Sequence, residues 1–156
     1  MLASAPARAE PDPGLGLVVG TATLLVGLTV GATVTATAND SNVSTNSGWL
    51  IMESGFALAP WTAHATQDQW LRGLAFAALP TAAVGGTVGL FDYAPGVVLH
   101  GTIVQQRILW GLFCTGLVSS AIGVVDVTLA RPRTGAIAIA PIAAPGQVGL
   151  ELGGTL

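Results

Sequence analysis

The sequence predicts an all-α membrane protein: a four-transmembrane-helix antiparallel bundle followed by a short C-terminal tail that is either β-hairpin-like or disordered. Three observations lead there. Charged residues make up 8% of the 156-residue chain and hydrophobic residues 51%. Soluble domains carry roughly 25% charged residues, so this chain has too little charge to coat a water-facing surface. The charges are also unevenly spaced, with none between Asp12 and Asp40, between Arg72 and Asp92, or between Arg107 and Asp126. Each gap approaches or exceeds the roughly 20 residues of helix that cross a hydrocarbon core about 30 Å thick. Finally, Trp49, Trp61, Trp70, Tyr93 and Trp110 fall near the ends of the apolar stretches, where amphipathic rings prefer the headgroup level.

The elements follow in order. Residues 1–13 form a polar N-terminal segment, and residues 14–131 the membrane domain, with spans expected at 14–38, 48–65, 72–92 and 106–130. The second span is interrupted only by Glu53. "NDSNVSTNSG" reads as a polar, turn-rich link before it. "TQDQ" (residues 66–69) reads as a capping box opening the third span, with the Thr66 hydroxyl accepting from a first-turn N–H and Gln69 reaching back. Pro95-Gly96 breaks the chain between spans three and four. In residues 132–156, alternating apolar residues flank Pro145-Gly146, the pattern of a hairpin, which by itself is at best marginally stable in water. The rival fold is an outer-membrane barrel, because the first span is rich in Thr and Val. Barrel strands require alternation over about 10 residues, and "GLVVG" and "LLVGL" are continuous apolar runs.

Packing between the spans is expected from small residues, since lipid supplies no hydrophobic drive between helices and close backbone approach must do so. Candidate rows are Gly16, Gly20, Gly27 and Gly31 in span one, and Gly55, Ala59 and Ala63 in span two. Span three offers Ala78, Ala82 and Gly86 with Gly85 and Gly89 beside them, and span four Gly111, Thr115, Ser119 and Gly123. Pro60 and Pro80 are expected to bend their helices.

Ionisable groups within a bilayer are expensive and hence candidate functional residues. Glu53 lies five residues beyond Gly48, about 7 Å into the second span if that span begins there. Arg107 is the only basic residue expected on that side, so a structural Glu53–Arg107 pair is the sharper reading, and a protonated or snorkelling Glu53 the plainer one. At the other side, Asp126 follows Gly123 by three residues and shares its level with His64, Asp68 and Arg72, which makes a contact with Arg72 or His64 natural. His64 itself reads as an interfacial side chain rather than a ligand. These placements separate the carboxylates and the two histidines, His64 and His100, across the membrane, so neither a carboxylate pair nor a two-histidine metal site is expected. Between the two ends only Thr, Ser and Cys114 are available in spans one, three and four, which gives weak support to a proton relay.

No phosphate-binding loop, nucleophile elbow or zinc-binding helix motif occurs, and "GLGLVVG" lacks the strand-helix context of a nucleotide fingerprint. No cofactor and no enzymatic activity are expected. A net charge of −3 without a basic patch excludes nucleic acid as a partner. The single cysteine, Cys114, reads as a small buried apolar side chain. The absence of lysine beside abundant Ala, Gly and Arg points to a bacterial protein, and the localisation expected is the inner (plasma) membrane. Arg8, Arg72, Arg131 and Arg133 on one side against Arg107 on the other place both termini in the cytoplasm. Ala7-Arg8-Ala9 resembles a cleavage site without an apolar run before it, and so reads at most as a signal-peptide remnant. The acceptor patterns at Asn39 and Asn42 read as chance matches.

The first functional expectation is a non-enzymatic accessory or assembly subunit of a membrane complex. It would contact the lipid bilayer and a protein partner or a second copy, through its small-residue rows or residues 134–156. The alternative is a small carrier or ion-conducting oligomer using its intramembrane acidic residues.

Overall fold

The computed structural model describes residues 12–39, 41–129, 138–144 and 147–153. Four long helices dominate: α1 (Pro13–Ala36), α2 (Asn42–Ala65), α3 (Trp70–Tyr93) and α5 (Ile103–Leu129), with a single turn, α4 (Val97–His100), between the last two. Two strands, β1 (Ala138–Ala144) and β2 (Gln147–Gly153), pair antiparallel with Ala138 opposite Gly153 and Ala144 opposite Gln147. The turn expected at Pro145-Gly146 lies outside the described residues. So do Arg8, Arg131, Arg133, Asp40 and the Ala7-Arg8-Ala9 pattern.

Helix α1 is 24 residues long, about 36 Å. The Asp12 side chain accepts from the Gly14 N–H at 2.8 Å, and Pro13 occupies the first turn, where its missing donor costs nothing. The threonines that raised the barrel alternative donate back to carbonyls one turn earlier: Thr23 to Val19, Thr29 to Leu25, Thr33 to Thr29, Thr35 to Gly31 and Thr37 to Thr33. A hydroxyl satisfied by its own helix tolerates an apolar medium.

Helix α2 begins six residues earlier than the sequence indicates. Ser41 caps it, accepting from the Ser44 N–H. Its polar first turns are taken up by neighbours: Thr45 is buried, Gly48 lies against Thr35 and Gly31 of α1, and Asn46 Nδ2 donates to the Pro95 carbonyl at 2.9 Å. A link composed of Asn, Ser and Thr reads as a loop because those residues suit turns; tertiary contacts make it helix.

The capping box is also displaced. Thr66 closes α2, its hydroxyl donating to the Ala63 carbonyl, and α3 starts at Trp70 with no side-chain cap from Gln69. Asp68, at φ 57°, supplies the left-handed residue of the reversal between them. The reciprocal pattern occurs instead at the start of α5, where Thr102 N–H donates to Gln105 Oε1 at 2.9 Å and Gln105 N–H to Thr102 Oγ1 at 3.3 Å.

Side-chain contacts fix the directions. Gly16 meets Ala63 and Gly31 meets Met52, so α1 and α2 run antiparallel. His64 stacks on Phe76 and Glu53 meets Thr87, so α2 and α3 do as well. Gly86 meets Leu112 and Arg72 meets Asp126 between antiparallel α3 and α5. Phe56 against Gly116 and Pro60 against Gly123 run parallel, bringing α2 alongside α5. Helices α2 and α5 each touch all three other long helices, and α2, which buries eleven residues against six in α5, lies innermost. Large side chains fill one end of the core (Trp49, Met52, Phe91, Val97, Leu109), and small ones the other (Ala59, Ala63, Val124, Val127).

Two expected packing rows hold and two are corrected. The four glycines of the α1 row, Gly16, Gly20, Gly27 and Gly31, are buried against α2, as are Gly55, Ala59 and Ala63 in return. On α5, Gly111 has open space where a Cβ would stand and Thr115 is exposed; only Gly123 of that row packs inward, with its Cβ position 2.7 Å from Pro60 Cβ. Four-residue steps drift by about 40° each, so a row from 111 to 123 turns about 120° round the helix. The face that packs is Leu109, Phe113, Gly116, Ser120, Gly123 and Val127, whose alternating steps of four and three stay in phase. On α3, Ala78 and Ala82 are exposed, and Gly85 and Gly89 have nothing near them, whereas Gly73, Ala77, Pro80, Ala83, Thr87 and Phe91 face the core.

Candidate functional site

Glu53 is the twelfth residue of the 24 in α2, which puts it at the middle of the helix rather than one turn inside its end. Its depth follows from the early start of α2. The carboxyl is 1% exposed. Thr87 Oγ1, from α3, donates to Glu53 Oε1 at 2.9 Å, and Oε2 has no partner among the described residues. The Glu53–Arg107 pair is not formed. With Trp49 beside Trp110 and Phe56 against Gly116, Arg107 stands level with residues 46–47, roughly 10 Å along the axis from Glu53, and is exposed. Thr87 was not legible as the partner. Thr residues abound in the chain, and only the α2–α3 register singles this one out.

The second polar group lies at the other end of α2 and joins three helices. Arg72 of α3 grips Asp126 of α5 with two bonds, Nε to Oδ2 at 2.7 Å and Nη2 to Oδ1 at 2.9 Å, the fork geometry that makes arginine–carboxylate pairs strong. His64 Nε2 stands 3.1 Å from the Gly123 carbonyl and 3.5 Å from Asp126 Oδ2. Both neighbours accept, so Nε2 carries a proton. The ring stacks on Phe76 with centroids 5.6 Å apart and planes 3° from parallel. His64, next to last in α2, is thus fully buried between helices rather than exposed at the helix end, and its Nδ1 has no hydrogen-bond partner among the described residues. Asp126 is brought to both Arg72 and His64, and Gly123 provides the contact surface beside them.

The aromatic belt is only partly peripheral. Tyr93, Trp61 and Trp110 are exposed, but Trp49 is 6% exposed and packs edge-on against Trp110 and Phe113, each centroid 5.0 Å away. Cys114 is exposed rather than buried.

The two polar groups lie far apart along the bundle. Thr87 and Arg72, their α3 members, are fifteen residues apart, about 22 Å. Between Glu53 and His64 the buried residues of α2 are Gly55, Phe56, Ala59, Pro60 and Ala63. Ser120, with an unpartnered hydroxyl, is the one buried polar side chain that α5 adds among the described residues. Among those residues no group of three or more His, Cys, Asp and Glu side chains is placed to hold a metal ion.

Helices α1, α3 and α5 are long and apolar enough to cross a membrane, and the polar side chains between them are drawn inward. That combination points to a helical membrane protein. Comparison with family models, curated proteins and solved structures finds no match for the chain.

Proposed function

We propose that the chain is a multi-pass membrane protein whose four long helices all cross the bilayer, α2 included, and that it serves as a non-enzymatic accessory or assembly subunit of a membrane complex. The observation that carries this reading is the outward row on α3, Ala78, Ala82, Gly85 and Gly89, with open space over both glycines. Small residues facing lipid give a helix little, whereas a partner helix gains close backbone approach from them. The separation of the polar groups and their tight packing supports a structural role over transport. In this reading the protein sits in a bacterial inner membrane, with the arginines at positions 8, 72, 131 and 133 on the cytoplasmic side. Residues 134–156 offer a second contact for a protein partner or another copy.

Crosslinking from position 85 in native membranes, followed by identification of the captured chain, tests the reading. A stoichiometric partner or a self-adduct is the expected result, and capture of lipid alone counts against it. A carrier or ion-conducting oligomer is the second reading, favoured by one observation: a fully buried carboxyl oxygen at the centre of α2 without a hydrogen-bond partner among the described residues. Proton or solute flux in liposomes that is lost on Glu53→Gln would establish it instead.

A further inference from the structure

The helix that lies innermost is the one least suited to enter a bilayer alone. Among the four long helices, α2 is the one outside the set long and apolar enough to cross. It carries Asn42, Thr45, Asn46, Glu53 and His64. Helix α1 is the opposite: every one of its buried residues is a glycine, and all four face α2. A Cβ on Gly27 would stand 2.7 Å from Gly55 Cα, and one on Gly20 would stand 2.7 Å from Ala63 Cβ. Gly48 in turn packs on Thr35 and on the Gly31 carbonyl, and Thr23 Oγ1 lies 3.1 Å from Thr62 Oγ1 across the same seam. The link between the helices covers only residues 37–41, so this seam closes without any distant part of the chain. From this we infer that α2 crosses the membrane only as the second half of a helical hairpin with α1, whose glycine row supplies the close backbone contact that offsets the cost of carrying into lipid Glu53 and His64, which face α3 and α5. Helices α3 and α5 dock afterwards, Thr87 then reaching Glu53.

This inference rests on the reading that α2 crosses, and the experiment separates the two. In the full chain carrying Cys114→Ala, single cysteines are placed at Thr37→Cys and Ala65→Cys, at opposite ends of the seam, and newly synthesised protein is labelled from one side with a membrane-impermeant maleimide. Without further substitution, the two positions react from opposite sides. The same side for both means that α2 does not cross, and the four-span reading fails with it. Adding Gly27→Ile and Gly31→Ile moves position 65 to the side of position 37, and adding Glu53→Leu as well restores the crossing. Gly123→Ile, which crowds Pro60 and Phe76 on another side of α2, leaves the labelling unchanged. Opposite-side labelling that survives the α1 substitutions overturns the inference, as does equal loss in Gly123→Ile or absence of rescue by Glu53→Leu.

Discussion

Helices α1 and α2 have the same length, 24 residues each, and lie against each other from end to end, yet they solve opposite problems. Helix α1 buries four glycines and exposes leucines and valines; α2 buries eleven residues, including a glutamate, a histidine, a tryptophan and a proline. In water the apolar helix would be inside. Here the polar one is, because an apolar solvent rewards shielding of polar groups and is indifferent to exposed leucine. The lesson is that α1 acts through residues with almost no side chain, as a surface on which α2 can rest, and α2 supplies the specific contacts.

The sharpest way to break that contrast is to fill the seam. Gly27→Ile should destabilise the protein by about 3 kcal/mol or more, since neither backbone can yield without separating the helices. Unfolding in mixed micelles measures it, and a loss below about 1 kcal/mol would show the seam to be loose. Next comes the interior of α2. Thr87→Val leaves both Glu53 oxygens without a donor and should cost about 1–3 kcal/mol in the same assay, while Thr81→Val, on the rim of α3, should cost less. Arg72→Ala removes the fork from Asp126 at a half-exposed site, and about 1–2 kcal/mol is expected. High salt should weaken the native pair only slightly if Asp126 is as enclosed as its contacts indicate.

Smaller effects test the outer helices. Thr102→Ala should cost about 1 kcal/mol by removing the α5 cap, and Thr66→Ala should cost less because no helix starts there. Smallest of all, Gly85→Leu should change the stability of the isolated chain by less than about 0.5 kcal/mol, since open space receives the side chain. Its effect should instead be on partner capture. A large loss of stability in Gly85→Leu would make the α3 row an internal contact and remove the asymmetry on which the proposed docking rests.

Several of these positions were legible before any coordinates. The α1 glycines were, because their steps of four, seven and four keep to one face, and so were Gly55, Ala59 and Ala63. The rows on α3 and α5 were not. Their small residues share a spacing but not the phase of the buried face, and phase is set by neighbours such as Phe76, Pro60 and Leu112. The two T-x-x-Q segments make the same point, since residues 66–69 and 102–105 carry one pattern and only the second forms the box. Asp126 could be placed beside Arg72 and His64 by counting span ends. The Glu53–Arg107 alternative fails because α2 starts six residues before Gly48, which carries Glu53 to the middle of the helix.

By itself the sequence determined that long apolar helices form and roughly how long they are: extended intervals without charge set both, and these are properties of neighbours along the chain. Only the tertiary structure decided which helix is enclosed, which glycines touch backbone and which oxygen meets Glu53. Those outcomes depend on the rotation and register of one helix against another, and a shift of one residue turns a side chain by about 100°.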